Sequence, residues 1–431
     1  MSLVPKSRAR SNGIQRIDLA YAELASSETA RDTNRDVVLE LIRTKQPISR
    51  ADLTRLSGLQ SSTISLITDQ LIAEKWVTEG ATAITARGRR PTLLTLNSDL
   101  VIAVADVRPN QIIVAVVDLN GHILDREALP LIKDPKRGVD RVIHLIQRMM
   151  RQHPDKSFEG IGLSLPGRVD PVSQRLVLAP NIPWADYDIK HAIETEIPLQ
   201  VEMDNDANTC LLSELWFGRM EGVRNAVLVA ISEGLGCAIL ANGQLLTGKL
   251  GLAGEFGHIS LDREGPLCGC GRKGCWEVYA STQSALAHYA ELVPDSGTIG
   301  IIELLNLAEE GNSAALASLN RQAYYLGLGL RMVTAALSPE VIHLNGGLTS
   351  SWHLFGPIVE AETAASMLAG TPPRIAITTD VEMARLRGAA ILVLQRHSGY
   401  SRSNRSSAES RPARRSRTGA ENLEGKRKPA K

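Results

Sequence analysis

Gly251-Leu252-Ala253-Gly254-Glu255-Phe256-Gly257-His258 is followed, after a nine-residue spacer, by Cys268-Gly269-Cys270-Gly271-Arg272-Lys273-Gly274-Cys275-Trp276-Glu277. Three of the chain's five cysteines crowd into eight residues here, while Cys210 and Cys237 stand apart. That spacing suits a metal better than disulfides, and thiols in a cytoplasmic chain stay reduced and available as thiolates. With His258 they make one imidazole and three thiolates, a tetrahedral set of structural zinc type with no ligand position left for catalysis. Glycines between the cysteines let the backbone wrap a small ion. Glu255 lies three residues before the histidine, and Glu277 closes the motif.

Upstream, Asp204-Asn205-Asp206-Ala207-Asn208 follows an apolar run at 199–203 that reads as a strand. Carboxylates and amides on short loops can hydrogen-bond several hydroxyls of a polyol. An Asx-rich turn is the plainer reading of that stretch taken alone. From about residue 100 the texture is α/β, with apolar runs at 112–119, 161–165, 226–231, 237–240, 341–344 and 375–378 separated by longer amphipathic stretches. Strand, Asn-Gly turn and strand at 112–125 are echoed at 227–246, with Asn120-Gly121 and Asn242-Gly243 as the turns. The echo predicts two similar lobes with a cleft between them. Residues 316–337 form a long amphipathic helix, ended by Pro339, that suits a core or a dimer surface.

Ahead of this body, apolar residues on one side (Val37, Val38, Leu41, Ile42) predict a helix from Thr33 to Pro47. A second helix follows Ser49, an N-cap candidate with Asp52 three residues on, and carries Ala51, Leu53 and Leu56 to Gly58. A third spans 61–75 with Ile64, Ile67 and Leu71 inward. Three short helices with a glycine in the second turn predict a helix-turn-helix. Ser61, Ser62, Thr63, Ser65 and Thr68 would then face DNA, small hydroxyls that admit close approach to phosphates and base edges. Residues 76–79 read as a loop. Arg87-Gly88-Arg89-Arg90-Pro91, leading into 92–96, reads as the basic tip of a hairpin wing, with Arg87, Arg89 and Arg90 reaching phosphates or a narrow minor groove.

Length and charge agree with this division. A chain of 431 residues exceeds what one core usually serves, and 43% apolar with 22% charged residues excludes collagenous, coiled-coil and wholly disordered classes. Residues 1–95 hold 14 Lys and Arg against 10 Asp and Glu, and 400–431 hold 10 against 3, so the formal net charge of +1 leaves the middle acidic by ten. Basic ends suggest a polyanion partner and a different task for the body. No apolar stretch approaches membrane-spanning length, which predicts a cytoplasmic protein without a membrane role. The expected domains are a flexible arm at 1–32, a winged helix-turn-helix at 33–97, the α/β body at 98–398 and a disordered basic tail at 399–431.

Taken together, the chain resembles the ROK family, which unites bacterial sugar kinases with repressors carrying an N-terminal winged helix. The resemblance rests on the helix-turn-helix, Gly88-Arg89-Arg90-Pro91, Pro166-Gly167, Pro180-Asn181, Asn205-Asp206 with Glu214, Gly254-Glu255-Phe256-Gly257-His258, the cysteine knuckle spanning 258–277, and Gly346-Gly347. It implies an actin-like, ribonuclease H-like two-lobed sugar-kinase fold, sugar contacts from Asn205, Asp206, Glu255, His258 and Glu277, and structural zinc at His258, Cys268, Cys270 and Cys275. In the kinases the residue matching Asp206 is the general base. Two departures argue against kinase chemistry. Where the kinases have Asp-x-Gly-Gly-Thr, this chain has Asp106-Val107-Arg108-Pro109-Asn110, losing the glycines and an amide donor at proline. The Gly-Thr-Gly-x-Gly pattern has become Ser232-Glu233-Gly234-Leu235-Gly236, which brings a carboxylate to a phosphate loop. The expectation is a sugar-responsive transcriptional repressor that is not an enzyme. It would bind operator DNA as a homodimer or higher oligomer and take a sugar or sugar phosphate in the cleft. A sugar kinase retaining a DNA-binding domain is the rival, and control by a protein partner a third reading.

Overall fold

The computed structural model describes residues 27–82, 91–365 and 371–395, apart from 219, 221, 296 and 379. They divide into two units, 27–74 with 79–95, and 75–78 with 96–395. The first unit contains α1 (Ser27–Lys45), β1 (Ile48–Ser49), α2 (Arg50–Ser57), α3 (Ser61–Ala73), β2 (Val77–Thr82) and β3 (Thr92–Leu96). Ser49 caps α2 in both directions: its Oγ accepts from the Asp52 amide and donates to the Asp52 carboxylate at 2.7 Å, a reciprocal cap that fixes the helix start. Gly58, at φ 72°, ends α2 in the left-handed conformation and returns its N–H to the Thr54 carbonyl. Leu53 from α2 and Ile64, Ile67 and Leu71 from α3 are buried, as are Val38, Leu39 and Ile42 from α1.

Several local expectations need correction here. Helix α1 starts at Ser27 rather than Thr33, because its first turns are polar and carry no apolar period. Val37 and Leu56 lie exposed, as does Ala51, so their helices bury narrower faces than the spacing implied. Residues 77–79 belong to β2, not to a loop, and the three strands form a sheet in the order β1-β3-β2. A strand written Val-Thr-Glu-Gly-Ala-Thr offers little apolar alternation for the sequence to betray.

The second unit begins with β4 (Leu100–Val107), β5 (Gln111–Asp118), β6 (Ile123–Pro130), α4 (Pro135–Gln152), β7 (Ser157–Leu165), β8 (Arg168–Asp170), β9 (Arg175–Leu178), α5 (Ile189–Glu196), β10 (Val201–Asn205) and α6 (Asp206–Phe217). It continues with β11 (Ala226–Ile231), β12 (Leu235–Ala241), β13 (Gln244–Leu245), α7 (Glu277–Ala280), α8 (Thr282–Leu292), α9 (Ile301–Glu309), α10 (Ser313–Leu337), β14 (Val341–Gly346), α11 (Trp352–Ala364), β15 (Arg374–Ile377) and α12 (Val381–Gln395). Two five-stranded sheets result, β10-β7-β4-β5-β6 and β13-β12-β11-β14-β15. In each, three antiparallel strands joined in sequence are extended by two parallel ones. Asn120-Gly121 and Asn242-Gly243 occupy the matching turns, with Asn242, Gly121 and Gly243 at positive φ. The expected two-lobed repeat is therefore present, with β4 as the strand the apolar runs did not single out.

Each lobe has its own core. In the first, Val142, Ile146 and Met149 of α4 pack with β4, β5, β7 and Trp184. In the second, α10 brings Leu319, Leu326, Leu330 and Val333 against Trp276, Phe355 and the strands. Helix α12 belongs to both surroundings, lying along α6 and against β4 and β7. Gly388 permits that closeness, since a Cβ there would sit 1.8 Å from the Thr209 carbonyl oxygen of α6.

Candidate functional site

The four ligand atoms of His258, Cys268, Cys270 and Cys275 lie within 4.8 Å of one another. Cys270 Sγ and Cys275 Sγ are 3.6 Å apart, as are Cys268 Sγ and His258 Nδ1. Bonds of about 2.3 Å to sulfur and about 2.0 Å to nitrogen at tetrahedral angles require edges of roughly 3.5 to 3.8 Å. Two edges of the donor set already have tetrahedral length, and with all four atoms within 4.8 Å the cluster can hold a metal. Backbone bonds preform the loop: Cys268 N–H donates to the Arg272 carbonyl and Gly271 N–H to that of Cys268. Burial pushes the Cys268 thiol up to about 12, a cost that a bound cation would remove.

Glu255 and His258 share one short helical turn, with His258 Nε2 3.6 Å from Glu255 Oε2. Gly254 opens that turn at φ 92°, and a Cβ there would meet the Cys237 carbonyl oxygen at 2.1 Å, so only glycine lets the turn approach β12. Glu277 reaches back from the start of α7. Its Oε1 accepts from Cys268 Sγ at 3.5 Å and its Oε2 from the Leu235 amide at 3.0 Å. Glu255, His258 and Glu277 are thereby gathered around the cysteine cluster, and Glu277 also clasps the β11–β12 turn.

Asn205 ends β10 and caps α6, its side chain accepting from Ala207 N–H at 2.8 Å and donating to the Gly167 carbonyl at 2.5 Å. The amide thus ties the Pro166-Gly167 turn to the helix start. Asp206, the first residue of α6, is ion-paired: its Oδ2 lies 2.9 Å from Arg385 Nη2 of α12. On its other side Arg385 approaches Asp106 Oδ1 at 3.9 Å, while Arg108 Nε donates to Asp106 Oδ2 at 2.6 Å. Arg108 also approaches Glu382 at 3.5 Å. Asp106 is wholly buried, and burial pushes its carboxyl up while Arg385 and Arg108 pull the other way. Burial alone would loosen Arg385's hold on its proton. The carboxylates of Asp206 and Asp106 more than reverse this and raise its pKa above the ordinary arginine value.

This charged knot is what the sequence did not disclose. Arg108 was visible as a departure in the first turn, but its pairing with Asp106, two residues back, was not. Arg385 gave no sign beyond being a cation in the small-residue helix Ala-Arg-Leu-Arg-Gly-Ala-Ala. Glu233 is exposed at the second turn and reinforces the charge of Arg385.

In the first unit, Ser61, Ser62 and Ser65 are exposed on α3 and Thr63 partly so. Thr68 does not share that face. It is fully buried, its hydroxyl donating to the Ile64 carbonyl and accepting from Arg50 Nε, which satisfies the group and allows it to lie beside Ile67. Leu66, 61% exposed, stands outward instead. Arg87, Arg89 and Arg90 lie outside the described residues. Among the described residues no helix is long and apolar enough to cross a membrane.

A two-lobed body of this topology, a histidine and three cysteines gathered within 4.8 Å, and a preceding three-helix unit with a small sheet define an actin-like sugar-kinase fold joined to a helix-turn-helix. The model described as "ROK family" matches residues 104–396, and the chain belongs to that family. The xylose repressor of Bacillus subtilis (strain 168) is 32% identical over 333 residues, 76% of this chain and 86% of the repressor. A glucokinase of Halalkalibacterium halodurans is 32% identical over 299 residues, 65% of this chain and 89% of the glucokinase. Among solved structures, a ROK family transcriptional regulator, a homolog of the E. coli MLC protein, aligns with TM-score 0.75 and 25% identity, covering 86% of this chain and 98% of its own. That share exceeds the second unit and so takes in part of the first.

Proposed function

We propose that the chain is a sugar-responsive transcriptional repressor that has given up phosphoryl transfer. The observation that carries this reading is Arg385 on Asp206. The residue matching the kinase base shares its carboxylate with a buried guanidinium 2.9 Å away, and the first phosphate turn is filled by Arg108 bound to Asp106. A general base must be free to reach the proton it takes, and the amides of a phosphate loop must face the triphosphate. Here Glu277 already occupies the Leu235 amide in the second turn. The similarity to a ROK family transcriptional regulator that takes in part of the first unit supports the same reading.

In this scheme a sugar or sugar phosphate binds between the lobes through Asn205, Asp206, Glu255, His258 and Glu277. Ligand hydroxyls would compete with Arg385 for Asp206, so binding favours one arrangement of the lobes over another and shifts operator affinity. Operator contacts come from Ser61, Ser62, Thr63 and Ser65 of α3 and from Arg87, Arg89 and Arg90 of the wing. The two-fold symmetry of usual helix-turn-helix operators makes a homodimer the expected form. Zinc held by His258, Cys268, Cys270 and Cys275 would be structural: with four protein ligands it has no open position, and it would fix the turn bearing Glu255 against the one clasped by Glu277.

Genomic-fragment binding by the zinc-loaded protein, repeated with a panel of sugars and sugar phosphates headed by xylose, tests the proposal. Selective binding released by one sugar is the expected result. Binding untouched by any sugar would move the effector to a protein partner. Turnover of ATP with a hexose, abolished by Asp206→Asn, would overturn the loss of kinase chemistry.

A further inference from the structure

Helix α4 carries a row of cations that neither the cysteine cluster, the charged knot nor the helix-turn-helix uses. Its inner face buries Val139, Val142, Ile143, Ile146 and Met149. Its outer face exposes Arg137, Arg141, His144, Arg148 and Arg151. These stand at i, i+4, i+7, i+11 and i+14, a row about 21 Å long at 1.5 Å per residue along one side of the helix. Lys133 and Lys136 extend it at the start. Arg148 pairs with Glu127 of β6. Arg137, Arg141 and Arg151 make no ion pair among the described residues. A groove of about 430 Å³ between α4 and the sheet-edge strand β6 has Leu129 and Leu145 at its base and Arg141, His144, Arg148 and Arg151 along its walls, with Glu127 as the sole acid. A second hollow of about 290 Å³ continues along the helix past Arg137 and Asp140.

A stripe in which four arginines outweigh the one acid of the same helix face, Asp140, is the more pointed because the surrounding body is acidic by ten charges. Surfaces without a polyanion to meet intersperse their signs. No residue of α4 is among the exposed large hydrophobic side chains of the described chain, so the face lacks the apolar anchors on which protein interfaces centre. Its exposed side chains offer regularly spaced charge, and the apolar groups beside them, Leu129 and Leu145, lie at the base of the groove. Duplex DNA presents about one phosphate per 1.7 Å of axis, so a 21 Å row can meet several phosphates on one strand without regard to sequence.

We propose that α4 is a second DNA-contacting surface, which grips the phosphate backbone of duplex outside the operator core read by the helix-turn-helix. This rests on the repressor reading. Its effect would be positional: added affinity and register for long DNA, without base specificity.

The test uses the intact protein and an operator fragment obtained as above, in a version reaching several helical turns beyond the protected core and in one trimmed to it. Affinity is measured between about 50 and 200 mM salt for wild type and for Arg137→Gln/Arg141→Gln/Arg151→Gln. Each lost phosphate contact lowers the slope of log K against log salt by about 0.9, so up to roughly 2.7 should vanish on the long fragment and almost nothing on the trimmed one. An unchanged slope on the long fragment overturns the proposal. So does an equal loss on both fragments, which would mark a general charge effect. Binding of a poly-glutamate peptide that the triple variant loses, with the DNA slope intact, would give the stripe to an acidic protein and overturn it as well. Wild-type protein that binds no duplex would sink this inference and the repressor reading together, whereas a normal core complex with an unaltered slope sinks only this one. An unchanged melting temperature shows the variant folded.

Discussion

The turns β4–β5 and β11–β12 hold equivalent places in two sheets of the same strand order, yet they are filled from opposite sides of the charge scale. In the first, the turn supplies its own occupant, Arg108, which folds back onto Asp106 at 2.6 Å. In the second, the occupant arrives from far along the chain as Glu277, whose carboxylate takes the Leu235 amide and lies 2.6 Å from where a Cβ at Gly234 would stand. Arg385 then joins the first turn to Asp206. One architecture has thus been closed twice, once by a guanidinium and once by a carboxylate. On the proposed reading, a phosphate site can be given up without losing its shape, by giving its polar groups other partners.

The comparison breaks most severely at Arg385. Arg385→Ala leaves the buried Asp106 and the half-buried Asp206 without their shared cation, and unfolding in urea should report a loss of about 3 to 5 kcal/mol; a loss under about 1 kcal/mol would mean the knot is not a buried ion network. The second turn depends on the cysteine cluster, because Cys268 touches Glu277. Cys268→Ser should abolish stoichiometric zinc and, with zinc at about a hundred times its Kd, remove about 2.7 kcal/mol of stabilisation. Full zinc content by elemental analysis would contradict the ligand set. Glu277→Gln keeps the size but weakens a charge-assisted bond to an amide, for an expected cost of about 1 kcal/mol. If that variant equals wild type in stability and sugar response, the carboxylate is not what closes the turn.

The gentlest probe is pH. Burial pushes the Asp204 carboxyl up to about 6, against hydrogen bonds from Asn208 and the Asn205 amide that favour its charged form. Between about pH 4 and 6 the folded chain therefore keeps a proton that the unfolded chain has released. This group's contribution is complete below the unfolded value and fades as pH rises through 6, so stability should fall across that window and Asp204→Asn should flatten the slope. A variant with the wild-type profile would place the titration elsewhere.

The sequence disclosed what is local and repeated. The knuckle was legible because its ligands come within eighteen residues, the α2 cap because Ser49 and Asp52 are three apart, and the lobes because both carry an Asn-Gly turn. It hid what depends on distant packing. Arg385 and Asp206 are 179 positions apart in the chain, and nothing in a helix of small residues says which way its cation points. Thr68 looked like its exposed hydroxyl neighbours until its position beside Ile67 and its bond to the Ile64 carbonyl placed it inside. Strand β2 was missed because too few of its side chains are apolar.

Helix α12 also governs the order in which this protein can be completed during synthesis. Gly162 of β7 lies where a Cβ would come within 1.9 Å of the Ala389 carbonyl oxygen, so the first sheet is fitted to a helix made more than two hundred residues later. Until that helix leaves the ribosome, one face of the first lobe stays uncovered and adhesive. The first lobe's sheet is thus sealed only by α12, the last helix among the described residues.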